Sequence, residues 1–316
     1  MSETANTAVL LLAHGSPDCP EDVPEFLRHV TGGRALPPPV VAEIQRHYAR
    51  IGRSPLTEIT LRQGEALARE LKLPVYVGMR NWTPFISDVL RQMSAEGVAN
   101  VVALCLAPHN SRTSVGLYRS AAESGPRFEH FDFVESWHDH PLLIRAFAER
   151  LEAGWKRACD EARSRVPILF TAHSVPSRTI LEGDPYEAQV RETASLVAIQ
   201  MPSLTVDDWS FAFQSQGASG GPWLGPTVED TIRELKQKGN SGVFLQPIGF
   251  VCDHVEVLYD IDVAFREFAE REGMRLWRAE SLNDSPTFIA ALADVVRSRL
   301  APAEPAKPLV QIAKPQ

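Results

Sequence analysis

One eight-residue pattern occurs twice in this chain of 316 residues, and the repetition limits the folds that the chain can adopt. Residues 10–17 read LLLAHGSP and residues 169–176 read LFTAHSVP, so an apolar run is each time followed by Ala-His, a small residue and a nearby Pro. The two histidines, His14 and His173, are separated by about half of the chain. We therefore expect two halves of similar architecture, and this length also favours two domains over one.

Both halves alternate short apolar runs with segments of helical period, which predicts parallel sheets with right-handed helical crossovers. The predicted strands span 9–12, 73–77, 101–106 and 131–134 in the first half and 168–171, 209–213, 243–245 and 274–278 in the second. The main predicted helices span 54–71, 84–96, 185–201, 227–238, 255–271 and 286–300. We therefore expect an α/β fold of two similar Rossmann-like domains with a cleft between them.

The domain limits follow from this alternation. The first half is predicted to cover residues 1–142 together with the C-terminal helix, about 286–302, which we expect to cross back onto it. The second half is predicted to cover 143–285. Within the first half, a loop at 37–39 precedes a helix that starts near Val40. Residues 303–316 are rich in Pro and Ala, which predicts a disordered tail.

Composition argues against several classes of partner and cofactor. The net charge is −8 without a dense Lys/Arg run, so nucleic acid is not expected as a partner. The early apolar run 8–13 is too short for a transmembrane anchor and no signal-peptide pattern precedes it, so we expect a cytoplasmic protein. The four cysteines are far apart, which argues against a thiolate metal cluster and a disulfide framework. No P-loop or G-x-G-x-x-G motif occurs, so no nucleotide cofactor is expected.

The repeated Ala-His pairs lie at the predicted carboxyl ends of the first strand of each half. Open parallel sheets bind ligands beyond this end, so His14 and His173 are predicted to face a shared cleft. A histidine at a strand end can also be an ordinary packed residue. The loop character of the residues after His173 favours an imidazole that can accept protons near neutral pH.

The segment QPIGFVCDHVEVLYDID at 246–262 carries the densest set of ionisable side chains. Asp253 is predicted to cap the following helix, and His254 is interpreted as structural. Glu256 and Asp260 are four residues apart, so a helix would present both carboxylates on one face. Like-charged neighbours resist simultaneous ionisation, which suits proton transfer or attraction of a cation. The alternative interpretation is an ordinary solvated helix face.

Two further segments are candidates for binding anionic ligand groups. Ser54 lies at a predicted helix N-terminus, where free N–H groups attract anions, although an ordinary helix cap explains it equally well. The segment APHNSRTSVGLY at 107–118 supplies hydroxyl groups, Arg112 and Tyr118 after a predicted strand. Both segments would suit carboxylates of a ligand.

Several stretches together resemble the ferrochelatases, which insert ferrous iron into a porphyrin. They are LLAHGSP, IGRSPLTEIT, VGMRNWTPFISDVL, FVESWHDHP, TAHSVP with GDPY, QSQG with GPWLGP, and PIGFVCDHVEVLYDID, collinear from about residue 9 to 300. The sequence is most similar to the bacterial branch that uses coproporphyrin III. The resemblance implies chelatase-type domains, Fe(II) and a porphyrin as substrates, haem as product, and enzymes of haem synthesis as partners. Some relatives bind an iron–sulfur cluster through cysteines, but no Cys-rich segment occurs near the C-terminus here, so no cluster is expected.

The resemblance also assigns roles to individual residues. It implies an iron site at His173 and Glu256, with Asp260 as a further catalytic carboxylate that leads protons away or metal in. His14, where related sequences often have Tyr, would be an axial ligand to the product iron. Asn81 stands where many relatives have His, and Ala264 stands where a third carboxylate is expected. The residues that would hold the porphyrin propionates are His47, Tyr48, Ser54 and Tyr118.

Three alternatives remain open from sequence. The first is a chelatase for another metal and tetrapyrrole, such as cobalt and a corrinoid precursor, although Glu256 as the second site residue argues against it. The second is a two-lobed small-molecule binding protein without catalysis. The third is a non-catalytic haem carrier in which His14 binds iron permanently.

Overall fold

Two parallel four-stranded sheets form the centre of the molecule. The structure is a computed structural model that describes residues 6–216 and 221–300. The first sheet consists of β1 (Thr7–Ala13), β2 (Val75–Met79), β3 (Asn100–Cys105) and β4 (His130–Val134). The second sheet consists of β5 (Ile168–His173), β6 (Trp209–Gln214), β7 (Gly242–Pro247) and β8 (Arg275–Arg278).

The two sheets have the same topology, which confirms the predicted fold class. Their strand orders are β2-β1-β3-β4 and β6-β5-β7-β8, with every pair parallel. From β1 the chain adds β2 on one side and then crosses back to add β3 on the other side, and it does the same around β5 with β6 and β7. This switch point is where open α/β sheets form a binding crevice, and each repeated Ala-His pair ends the strand that flanks it.

The duplication extends to the connections that follow β2 and β6. The Met79 N–H donates to the Pro84 carbonyl at 2.7 Å, and the Phe213 N–H donates to the Pro226 carbonyl at 2.8 Å. Each of these contacts turns the chain from a strand end into the next helix. The similarity seen in the Ala-His pairs is therefore a property of the whole strand–loop–helix unit.

Helices cover both faces of the sheets. Those of the first half are α1 (Val23–Val30), α2 (Pro38–Ile51), α3 (Leu56–Leu71), α4 (Ile86–Ala95) and α5 (Val115–Glu123). They are followed by α6 (Pro141–Ala162), α7 (Ser177–Leu181), α8 (Tyr186–Ile199), α9 (Val228–Gln237), α10 (Val255–Leu258), α11 (Arg266–Arg271) and α12 (Pro286–Leu300). Short 3₁₀ turns occur at Pro20–Asp22 and Val206–Asp208.

Two predicted helices differ from those observed. The sequence predicts one helix over 255–271, whereas the structure has α10, a π-helix at Asp260–Phe265, and α11. The π-helix is only six residues long, so its different period is too short to be distinguished from that of an α-helix in the pattern of apolar residues. The helix predicted to begin near Val40 starts at Pro38, because proline is tolerated in the first turn of a helix.

The largest apolar core is shared by the two halves. It runs from Val9 and Leu11 of β1, through Phe147 of α6, to Phe170 of β5 and Phe288 of α12. Helix α12 packs against both α3 and α6, so the end of the described chain contacts the first half. The predicted limits of the two domains remain predictions, and the tail predicted at 303–316 lies outside the described residues.

Candidate active site

A cavity of about 500 Å³ lies at the carboxyl ends of the two sheets. Its lining includes Ala13, His14, Arg80 and Tyr118 from the first half and His173 and Glu256 from the second. The volume is in the range of small-molecule sites, and most of the remaining wall is apolar. The fold therefore forms a cleft between its halves and presents ionisable groups to it from both sides.

The two repeated histidines are oriented in the same way. His14 Nδ1 lies 3.0 Å from the carbonyl of Gly15, and His173 Nδ1 lies 2.5 Å from the carbonyl of Ser174. A carbonyl oxygen only accepts hydrogen bonds, so Nδ1 is the donor in each ring. In the neutral ring Nε2 then carries the lone pair.

The two Nε2 atoms have different partners. His173 Nε2 lies 3.3 Å from Glu256 Oε2, whereas His14 Nε2 lies 3.0 Å from the amide nitrogen of Asn81. Glu256 Oε2 is shielded from solvent and has no hydrogen-bond partner among the described residues. In the neutral tautomer of His173 two lone pairs face each other, and one added proton would turn this contact into an N–H···O hydrogen bond. The His173–Glu256 pair is therefore arranged to take up a proton.

The two carboxylates of the segment have opposite pKa shifts. Burial alone would raise the pKa of Glu256, but the imidazoles of His173, His254 and His14 outweigh burial and lower it. Burial and the charge of Glu256 raise the pKa of Asp260 to about 7, although the Ser215 hydroxyl donates to Asp260 Oδ2 at 2.5 Å. Near neutral pH, Glu256 is thus an anion while Asp260 exchanges a proton with its surroundings. Two carboxylates separated in pKa can perform different steps of proton transfer.

The raised pKa of Asp260 predicts a pH-dependent effect of Asp260→Asn on stability. The folded chain holds this proton with a pKa of about 7 and the unfolded chain with 3.8, so the wild type loses stability as the pH rises through this interval. Asparagine stays neutral. We expect Asp260→Asn to be more stable than the wild type at pH 8, by on the order of 2 kcal/mol, with the difference shrinking toward pH 4.

Thermal unfolding of both proteins between pH 5 and 8 measures this difference. Asp207→Asn, on the exposed 3₁₀ turn, is the matched control and should follow the wild type at every pH. A difference between Asp260→Asn and the wild type that does not change with pH would contradict the expectation.

Asp253 does not cap the helix that follows it, which corrects the prediction. Helix α10 begins after His254 without a side-chain cap. The Asp253 carboxylate instead accepts hydrogen bonds from Ser281 Oγ at 2.7 Å and Asn283 Nδ2 at 2.9 Å. Arg278 lies 3.5 Å from the same carboxylate and forms two 2.8 Å hydrogen bonds with Asp262. These contacts hold both ends of the segment that carries Glu256 and Asp260.

The candidate propionate-binding residues have different surroundings. Tyr118 lines the cavity, and the Arg80 guanidinium lies 5.4 Å from its ring centre. The Ser54 hydroxyl is buried and has no partner among the described residues, next to the cavity-lining Leu56. Tyr48 is buried and its hydroxyl lies 3.2 Å from Ser16 Oγ.

His47 is the fourth of these residues, and it does not line the cavity either. Its ring stacks on Tyr259 with a centroid distance of 3.7 Å, so it joins α2 of the first half to the loop between α10 and the π-helix. Of the four residues, the cavity lining therefore includes Tyr118 alone among those that the structure describes. The roles of the other three in binding remain predictions.

Sequence reasoning overlooked Arg80. Its Nε is buried without a hydrogen-bond partner, and no carboxylate among the described residues lies within ion-pair distance of it. Burial and the charge of Arg80 lower the pKa of His14 to about 4, so His14 is neutral at physiological pH. The available signal was a cationic residue three positions after Val77, where the predicted strand ends, and directly before Asn81.

Two cavity-lining histidines complete the site. His109 Nε2 hydrogen-bonds with Thr193 Oγ1 at 2.9 Å, and burial lowers the pKa of His109 to about 3. His254 Nδ1 lies 3.0 Å from the carbonyl of Cys252, and burial lowers its pKa as well. Both rings are therefore neutral at physiological pH.

Within residues 6–216 and 221–300, no helix is both long and apolar enough to cross a membrane.

A comparison with known structures identifies the fold. The chain superposes on the sirohydrochlorin chelatase SirB from Bacillus subtilis subspecies spizizenii in complex with cobalt, with a TM-score of 0.51 and 10% identity over 92% of this chain and 94% of that one. At this identity the likeness concerns the fold. The two parallel sheets around a histidine-lined cleft therefore form the same two-domain fold as that structure.

The sequence comparison then defines the family. The model of the family described as Ferrochelatase matches residues 6–300. A ferrochelatase of Acidobacterium capsulatum is 52% identical over 93% of this chain and 94% of its own length. A coproporphyrin III ferrochelatase of a Geobacillus species is 35% identical over 92% of this chain and 97% of its own length. The chain belongs to the ferrochelatase family, and it is an enzyme of haem synthesis that inserts iron into a porphyrin.

Proposed function

We propose that the His173–Glu256 pair is the centre of iron insertion and that coproporphyrin III is the preferred ring. The contact between His173 Nε2 and Glu256 Oε2 at 3.3 Å carries the first part of this proposal. Insertion releases two pyrrolic protons as Fe(II) enters the ring, so the site needs a group beside the ring that accepts protons. An imidazole whose Nε2 faces a carboxylate oxygen shielded from solvent is suited to this step.

The pyrrolic protons leave the ring through His173, with Glu256 and Asp260 as the next groups. A pyrrolic N–H gives its proton to the Nε2 lone pair of His173, and the resulting imidazolium is stabilised by the ionised Glu256. Asp260, with a pKa raised to about 7 by burial and by Glu256, can then receive the proton and release it to solvent. The ring nitrogens keep the electron pairs of the broken N–H bonds and donate them to Fe(II). Two such transfers leave a core of Fe(II) and four ring nitrogens without net charge.

The opposite wall of the cleft belongs to His14. Its Nδ1 is held by the Gly15 carbonyl, so Nε2 is the atom available to the product iron on the other face of the ring. His14 stays neutral at physiological pH, which suits metal ligation better than proton storage. Its proposed role is that of an axial ligand to the product.

Arg80 supports coproporphyrin III as the natural ring. Coproporphyrin III has four carboxylates and protoporphyrin IX has two, so it requires more cationic or hydrogen-bonding partners. The Arg80 Nε and the Ser54 hydroxyl, both shielded from solvent without a hydrogen-bond partner among the described residues, are two such groups at or next to the cavity. Arg80 is half-buried, and a ligand carboxylate would satisfy its Nε donor. A cytoplasmic location, where the sequence predicts the chain to be, is part of the same proposal.

An anaerobic assay with ferrous iron and each porphyrin in turn tests the proposal. We expect free-base absorbance bands to give way to metalloporphyrin bands with both rings, and kcat/KM to be higher with coproporphyrin III. Equal or higher kcat/KM with protoporphyrin IX would overturn the choice of ring. Absence of turnover with iron, together with turnover on another divalent metal, would overturn the choice of iron.

Arg80→Met should affect the two porphyrins differently. Methionine keeps much of the length of the side chain and removes its charge, so we expect KM for coproporphyrin III to rise about tenfold and KM for protoporphyrin IX to change less. Steady-state kinetics with both rings measures this, with the exposed Arg127→Met as the matched control. An equal rise in KM for both rings would contradict a role for Arg80 in choosing between them.

A further inference from the structure

The amide of Asn81 occupies the Nε2 lone pair of His14. The Asn81 Nδ2 atom lies 3.0 Å from His14 Nε2, and His14 Nδ1 lies 3.0 Å from the Gly15 carbonyl. Since the carbonyl requires a proton on Nδ1, Nε2 of the neutral ring accepts and the Asn81 amide donates. Both hydrogen-bonding atoms of the His14 ring are therefore engaged by the protein.

Asn81 is held firmly beside His14 by the backbone. The Asn81 N–H donates to the His14 carbonyl at 3.0 Å, and the Arg80 N–H donates to the Ala13 carbonyl at 3.0 Å. Asn81 is only 3% exposed. The two loops approach so closely that a Cβ on Gly15, which has φ of +82°, would lie 2.9 Å from Trp82. Only glycine fits at this point. The amide therefore cannot leave His14 without a change in side-chain conformation.

The corresponding atom of the other half has no such donor among the residues that the structure describes. His173 Nε2 faces the carboxylate of Glu256, which accepts hydrogen bonds and leaves the imidazole lone pair unoccupied. The two histidines thus share a backbone geometry but differ in how readily Nε2 can bind a metal or a proton. The amide at His14 is the physical difference between the two walls.

We propose that Asn81 competes with the product iron for the Nε2 lone pair of His14 and thereby weakens retention of the product. Iron can bind this nitrogen only after the amide hydrogen bond is broken. The cost lowers affinity for the iron porphyrin and leaves affinity for the metal-free ring unchanged. This inference rests on the proposed role of His14 as a ligand to product iron, and it makes Asn81 a positioning residue for product release.

Absorbance titrations of the protein with iron coproporphyrin III and with metal-free coproporphyrin III test the proposal. Asn81→Leu keeps the approximate shape of the side chain and removes the donor. We expect it to bind the iron porphyrin about threefold to tenfold more tightly than the wild type, with a Soret band shifted toward that of an imidazole-ligated iron. Affinity for the metal-free ring should stay within about twofold of the wild type.

The control variants separate competition by Asn81 from the role of His14 as an iron ligand. Asn100→Leu makes the same substitution at the start of β3, the end of the sheet opposite the cleft, and should leave both affinities unchanged. His14→Ala should weaken binding of the iron porphyrin, and adding Asn81→Leu to it should give no gain. Asn81→Ala serves as a second donor-free variant if the leucine variant unfolds at a lower temperature.

Each outcome has a defined meaning. If His14→Ala weakens iron-porphyrin binding but neither Asn81 variant strengthens it, competition by Asn81 is wrong and the role of His14 stands. If His14→Ala leaves both the affinity and the Soret band unchanged, His14 is not a ligand and both hypotheses fail. If Asn81→Leu tightens binding of the metal-free ring as much as that of the iron porphyrin, the higher affinity comes from packing of the leucine side chain. The proposal is then overturned.

Discussion

His173→Ala is expected to reduce iron insertion by about a thousandfold or more while porphyrin binding and folding are largely retained. The substitution removes the Nε2 lone pair that faces Glu256 Oε2 at 3.3 Å, and a positioned general base contributes about 10²- to 10⁴-fold to rate. The lost hydrogen bond from Nδ1 to the Ser174 carbonyl should lower stability by only about 1 kcal/mol. The anaerobic insertion assay and a titration with metal-free porphyrin measure the two properties.

A matched histidine substitution controls for the loss of an imidazole. His130→Ala removes an exposed imidazole at the start of β4, at the opposite end of the sheet from the cleft, and should leave insertion unchanged. Near-normal turnover in His173→Ala would show that another group accepts the protons. The assignment of the His173–Glu256 pair as the reaction centre would then be wrong.

Glu256→Gln is expected to reduce the insertion rate about a hundredfold or more without a large loss of stability. The neutral amide cannot stabilise an imidazolium on His173, so proton acceptance becomes less favourable. The wild-type Glu256 Oε2 has no hydrogen-bond partner among the described residues, so the isosteric amide breaks no hydrogen bond at this atom and should change stability little. Turnover and thermal unfolding of the same preparation measure both effects, with the exposed Glu267→Gln as control.

The opposite pattern would indicate a structural role for this carboxylate. A large fall in unfolding temperature with retained turnover would mean that Glu256 supports the helix start and does not take part in the chemistry. The double variant with His173→Ala adds a further test. If the two residues act as one unit, the double variant should lose little more activity than His173→Ala alone.

The arrangement of strands and the two cleft histidines could be predicted because they depend on local patterns. An apolar run such as 8–13 is long enough for a buried strand, and the Ala-His pair marks its carboxyl end in both halves. The rules that govern parallel sheets then bring His14 and His173 to the same side. Glu256 was also accessible to sequence reasoning, because it follows a strand and a loop in a compact charged segment.

Several features of the site depend on residues that are far apart in the chain. Asn81 is 67 positions from His14, and Asp253 finds its partners 28 and 30 positions away at Ser281 and Asn283. Nothing in a local window of sequence indicates which of many possible partners will lie within hydrogen-bond distance. The same holds for Arg80, whose lack of a carboxylate partner becomes visible when its surroundings are known.

The amino-acid pattern thus specifies two similar α/β halves and the strand ends at which His14 and His173 are exposed to a cleft. The folded arrangement specifies what each imidazole faces: a carboxylate at His173 and an amide at His14. The physical reason is that the first depends on residues adjacent in the chain and the second on residues that are far apart in it. Strand periodicity is a property of neighbouring residues, whereas the partner of an Nε2 atom depends on packing between loops that the chain brings together only on folding.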